Sequence, residues 1–187
     1  LNYEVRRNVQ GPLSPEQTGK IAEILEQYKR RDIKPSANDY KILRAMKSTQ
    51  ATHKRHDSDY YLIDHETNKH YLIELKIGGD LDNKKARSEK EAILEQYAIL
   101  SNTLPSSVDI CIFFATAYNR FGEGKAWKQE RVRQFFAPEE LLIGKDFWDF
   151  VCKSGSGYDT VLTAYRDNAH LIKAALDEIR VLYLGDK

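Results

Sequence analysis

Asp59-Tyr60-Tyr61-Leu62-Ile63-Asp64-His65-Glu66-Thr67-Asn68-Lys69-His70-Tyr71-Leu72-Ile73-Glu74-Leu75-Lys76 is the stretch on which the fold of this 187-residue chain turns. Residues 60–63 and 70–76 are rich in aromatic and aliphatic side chains and flank the polar segment 65–69, a pattern that predicts a β-hairpin. Side chains alternate along a strand, so Glu74 and Lys76 share one face and Leu75 takes the other. Asp59 opens the first strand and, with a turn near 65–69, falls at the same end of the hairpin as Glu74 and Lys76. Two carboxylates and one ammonium therefore meet at the end of a sheet. Such carboxylates repel each other unless a cation intervenes, and oxygen ligands on rigid strands suit a hard ion such as Mg2+. The ion would polarise a phosphoryl oxygen and lower the pKa of bound water. A lysine there would orient or deprotonate that water, or stabilise the transition state. These parts suffice for phosphodiester hydrolysis. A solvated surface pair is the competing reading. The apolar setting of Ile73-Glu74-Leu75-Lys76, the acid on the preceding strand and the Gly78-Gly79 break favour catalysis. Asp57 and Asp64 are rivals for the first acid, one further from the hairpin and the other at its turn.

Working outward, Ser14-Pro15 opens a helix over 15–30, and Ile21, Ile24, Leu25 and Tyr28 line one side of it. Residues 36–47 read as a second helix and 48–57 as a basic loop. Asp82–Leu100 reads as a long helix with Ala86, Ile93, Leu94 and Tyr97 on its apolar side. Val108–Ala115 is apolar on both faces, as a buried strand should be. Residues 119–127 read as a loop, 128–136 as a strand, 139–151 as a helix, 153–157 as a break and 158–183 as a final helix ended by Gly185. The fold class expected is α/β (α+β): a central mixed sheet with a catalytic hairpin, flanked by helices. One domain is expected, with a helical part at 1–50, a core at 55–136 and C-terminal helices at 137–187. The chain starts at Leu1 without Met, so natural sequence upstream is expected.

The composition, with a net charge of +1 and 30% charged residues, is that of a soluble globular protein. No apolar run is long enough for a membrane span. Cys111 and Cys152 lack CxxC spacing and read as reduced thiols of a cytoplasmic protein.

Ser58-Asp59 followed by Ile73-Glu74-Leu75-Lys76 resembles the PD-(D/E)xK nuclease core, with Ser58 where that pattern often has Pro. The resemblance implies magnesium held by Asp59, Glu74 and the Leu75 carbonyl. Wider segments, 74–86, 113–119 and 141–148, resemble the TdeIII-like group of type II restriction endonucleases. That group implies cleavage of double-stranded DNA at short palindromic sites, leaving 5′-phosphate and 3′-hydroxyl ends. It further implies a homodimer, a companion DNA methyltransferase and a cytoplasmic location in a prokaryotic cell. An early-helix acid often assists in such nucleases, and Glu23 and Glu26 are the candidates.

Lys84, Lys85 and Arg87 follow the catalytic strand and are expected to meet phosphates, against the plainer reading of a solvated basic face. Gln96 is a candidate brace for the site, although solvent exposure is its simpler fate; core packing is expected of Tyr97. Asn119, Arg120, Lys125 and Lys128 suit base or backbone contacts from a loop. His65-Glu66-Thr67-Asn68-Lys69-His70 has one residue too many for a zinc-protease motif, and Gly122-Glu123-Gly124-Lys125 lacks the phosphate-loop spacing. No nucleotide cofactor is expected. A repair or recombination nuclease of the same fold, or a non-catalytic DNA-binding protein, are the alternatives.

Overall fold

The computed structural model describes residues 2–46, 50–77 and 81–185. Five strands, β1 (Glu4–Leu13), β2 (Thr52–Asp64), β3 (Lys69–Lys76), β4 (Asp109–Thr116) and β5 (Leu141–Ile143), form one sheet in that order. β1, β2 and β3 pair antiparallel, whereas β3, β4 and β5 run parallel. The helices are α1 (Pro15–Arg30), α2 (Asn83–Thr103), α3 (Glu130–Arg133), α4 (Lys145–Cys152), α5 (Gly157–Asp167) and α6 (Ala169–Leu184). This is the α/β architecture expected, a mixed sheet flanked by helices. Among the described residues no helix is long and apolar enough to cross a membrane.

The hairpin forms as its sequence dictates. Asp64 pairs with Lys69, and the turn between them is tied by the Asp64 carboxylate, which accepts from the Glu66 and Thr67 N–H groups. Parallel strands need a long crossover, and α2 supplies it between β3 and β4. Asp82 caps α2, its carboxylate accepting from the Lys85 N–H at 2.7 Å. Ser14 and Gln17 make a reciprocal capping box on α1. Ile21, Ile24, Leu25 and Tyr28 of α1 pack with Ile93, Leu94 and Tyr97 of α2 on one face of the sheet, over Tyr61, Ile63, Leu72 and Phe114. The opposite face carries a smaller cluster in which Phe147, with Trp148 and Phe150 of α4, meets Leu62, Tyr71 and Ile73. β1 crosses α2 closely: a Cβ on Gly11 would lie 2.9 Å from Ile99 and Thr103 side-chain carbons.

Several elements differ from expectation. The N-terminal part is not purely helical, because Glu4–Leu13 is a strand. Burial alternates only from Val9 to Leu13, where Gly11 and Pro12 mask the apolar pattern that marks a half-buried strand. The basic segment 52–57 is the first half of β2 rather than a loop. It pairs with β1 alone, since β3 reaches only Tyr60–Asp64, so one edge stays solvated and its composition stays polar. Asp59 therefore lies within a strand. Residues 36–46 hold a single 3₁₀ turn, Lys41–Arg44, in place of a helix; Lys47 and Ser48 lie outside the described residues, as do Gly78, Gly79 and Asp80. Residues 128–136 contain the short α3, not a strand. The stretch 139–151 divides into a 3₁₀ turn, β5 and α4, and Gly144 makes the bend at φ 57°. The final helix is two, α5 and α6, meeting at Asn168. Its apolar residues Tyr165, Ile172, Leu176 and Ile179 are exposed.

Candidate active site

An irregularity in β2 positions the site. Arg6 pairs with Tyr61 but Asn8 pairs with Asp57, so β2 spends extra residues at 58–60. A bulge of this kind re-aims side chains and recurs next to active sites. Before it, His56 and Lys54 reach Glu95 on α2, at 2.8 and 3.0 Å. After it, Tyr61 and Ile63 face the same helix. Within the bulge, Ser58 contacts Gln96 of α2, while the next residue, Asp59, reaches Lys76 on β3. Two consecutive side chains are thus directed to one side, which regular alternation forbids.

Lys76 is the hub of the cluster. Its Nζ lies against Glu74, 3.2 Å from Glu89 Oε1 and 3.8 Å from Asp59 Oδ2. Asp59 also accepts from the Leu75 N–H at 3.0 Å, which ties the acid to the strand carrying the other two groups. Glu89 was not singled out in the sequence. It comes from α2, two turns before Gln96, and belongs to the stripe that faces the sheet. Its spacing from Ala86 and Ile93, three before and four after, was the available signal.

Three carboxylates around one ammonium leave a surplus of negative charge. Glu74 shows it: burial pushes its carboxyl up to about 7, more than the Lys76 hydrogen bond pulls it down, and Glu89 and Asp59 add to the rise. Burial alone would lower Lys76, but Glu74 and Glu89 outweigh it and hold the ammonium above its ordinary value. Lys76 is therefore a cation, not a free base, at neutral pH. Among the described residues no three His, Cys, Asp or Glu side chains form a ready-made metal cluster. The donors present are nevertheless all oxygen, from Asp59, Glu74 and the Leu75 carbonyl, and an underneutralised acid is among them. That chemistry fits a hard divalent cation.

The match to known proteins then decides the family. The family model described as "Type II restriction endonuclease, HinfI" matches residues 1–168. The chain belongs to the HinfI family of type II restriction endonucleases. It is thus a restriction endonuclease, a DNA phosphodiester hydrolase. No curated protein and no solved structure matched the chain.

Against this HinfI-family background, the remaining candidates separate. Asp57 is exposed and lies 3.8 Å from Arg55; Asp64 is buried at the far end of the hairpin, 3.0 Å from Lys153. Neither joins the Lys76 cluster. Glu23 is paired with Lys20 at 2.8 Å, and Glu26 lies 3.6 Å from Lys29 and 3.5 Å from Arg87. Gln96 is buried, not exposed, and braces Ser58 beside Asp59. Tyr97 packs in the core against Tyr40. Lys84 and Lys85 are exposed on the first turn of α2; Arg87 pairs with Glu91 at 3.2 Å. Asn119 is turned inward. Its amide donates to the Lys125 carbonyl at 2.7 Å and accepts from the Phe121 N–H at 3.0 Å, so both ends serve the loop. Arg120, Lys125 and Lys128 are exposed on or beside that loop.

Proposed function

We propose that Asp59, Glu74 and Lys76 are the catalytic residues of this restriction endonuclease and that Glu89 is a further acid of the same centre. What supports the reading is one observation: carboxylates from β2, β3 and α2 converge on the Lys76 ammonium at the end of the hairpin. Asp59, Glu74 and the Leu75 carbonyl would hold magnesium. When bound, that ion polarises the scissile phosphate and lowers the pKa of a water. Beside those acids the Lys76 ammonium would hydrogen-bond the attacking water and offset charge building on the phosphoryl oxygens.

Lys84, Lys85 and Arg87, on the turn that follows the catalytic strand, would meet backbone phosphates, and Arg120, Lys125 and Lys128 would add further contacts. A short palindromic site would call for two copies, one active site per strand, and a companion methyltransferase would guard the host's own sites. The resemblance to the TdeIII-like group is a finer kinship resting on segments 74–86, 113–119 and 141–148.

The test is digestion of a supercoiled plasmid by the full chain with magnesium, followed by sequencing of the ends. Discrete fragments with one common end sequence are expected, and chelation should stop the reaction. Nicking that follows DNA structure instead of sequence would overturn site-specific cleavage.

A further inference from the structure

We propose that the stripe Ala169, Ile172, Leu176, Ile179 and Tyr183 along α6 is a self-association surface, covered by the same stripe of a second copy of this chain with the helices parallel. It deepens the two-copy reading above by naming the surface, and its test reads mass, not cleavage.

The spacing of these residues is three, four, three, four, a period of 3.5, which is that of a seam between supercoiled helices. Every described side chain from Ala169 to Tyr183 is exposed; Leu176 is 60% and Tyr183 82% accessible. A helix none of whose described side chains is buried is marginal in water, and a continuous apolar stripe along it marks an interaction site. The family match ends at residue 168, so α6 lies beyond the part that carries the shared nuclease machinery.

Charge selects the occupant and its direction. Lys173 and Arg180 stand seven residues apart along one border of the seam. Ala175 and Leu182 occupy the other border without charge. In an antiparallel pair the two cationic rows would face each other and repel. In a parallel pair each cationic row faces the partner's neutral row.

Sedimentation velocity of the full chain at micromolar concentration should give the mass of a dimer. Ile172→Glu, Leu176→Glu and Ile179→Glu together should give a monomer with the circular dichroism of the sheet core retained, because these positions touch no core. A wild-type chain that sediments as a monomer overturns the proposal, and so does a triple variant that stays dimeric. A Tyr183→Cys variant, which leaves the rest of the seam intact, should form a disulfide between copies on oxidation. A dimer without that crosslink overturns the parallel arrangement.

Discussion

At the scale of single residues, Glu74 carries the tension of the site. It is nearly buried beside two other acids, and its carboxyl titrates near 7 instead of 4.5. A carboxyl raised in this way makes the folded state the better proton binder between those two values. Stability therefore falls as pH rises from about 4.5 to about 7 and stays at its lower level above. In metal-free protein, Glu74→Gln should consequently raise the melting temperature at pH 8, by an effect on the order of 1 kcal/mol. The gain should shrink by pH 5, while DNA cleavage is lost at both. Equal melting curves at pH 8 would show that Glu74 is not strained by its neighbours. Lys90 makes the opposite case. It is fully buried, with its ammonium 2.6 and 2.7 Å from the Glu140 carboxylate oxygens and over the Tyr40 and Phe136 rings. Lys90→Ala would leave Glu140 buried without a cation and should cost about 3–5 kcal/mol. Replacing both partners by apolar residues of similar volume should cost less, and paired denaturant titrations of the single and double variants would measure the difference.

At the scale of elements, the bulge in β2 decides which acid reaches Lys76. The hairpin and α2 were legible from the sequence because their apolar periodicities are strong, and so were Asp59, Glu74 and Lys76 as a group. The bulge was not, because 52–59 is polar on an edge pair and carries no alternation to interrupt. Glu89 was obscured for a related reason. It sits among many charged and polar residues of α2, and only the docking of the helix on the sheet shows which of them face inward. Gln96→Ala removes the brace on Ser58 and frees the turn that presents Asp59. Cleavage should fall roughly 10- to 100-fold, the range typical when a group that orients metal ligands is lost, while melting changes little. A rate unchanged by this substitution would mean that the bulge holds its shape without α2. The short pieces at 138–152 were missed because β5 has three residues, too few for any period to register.

At the scale of the whole molecule, a parallel β3–β4 pair linked by α2 meets an antiparallel β1–β2–β3 meander, and the end of β3 that carries Glu74 and Lys76 lies where these halves join. The sheet's core is built by α1 and α2 on one side and α4 on the other, whereas α6 stands apart with its apolar side in water. Family membership assigns the reaction, and the geometry points to the chemistry of one cluster. The most direct test of that assignment is single-turnover cleavage of duplex DNA by Lys76→Ala beside the unaltered chain, at saturating magnesium. Lys76 is partly exposed and holds up no core, so the variant should keep its circular dichroism and lose at least ~10²-fold in rate. A folded Lys76→Ala protein that cuts as fast as the parent would contradict the account.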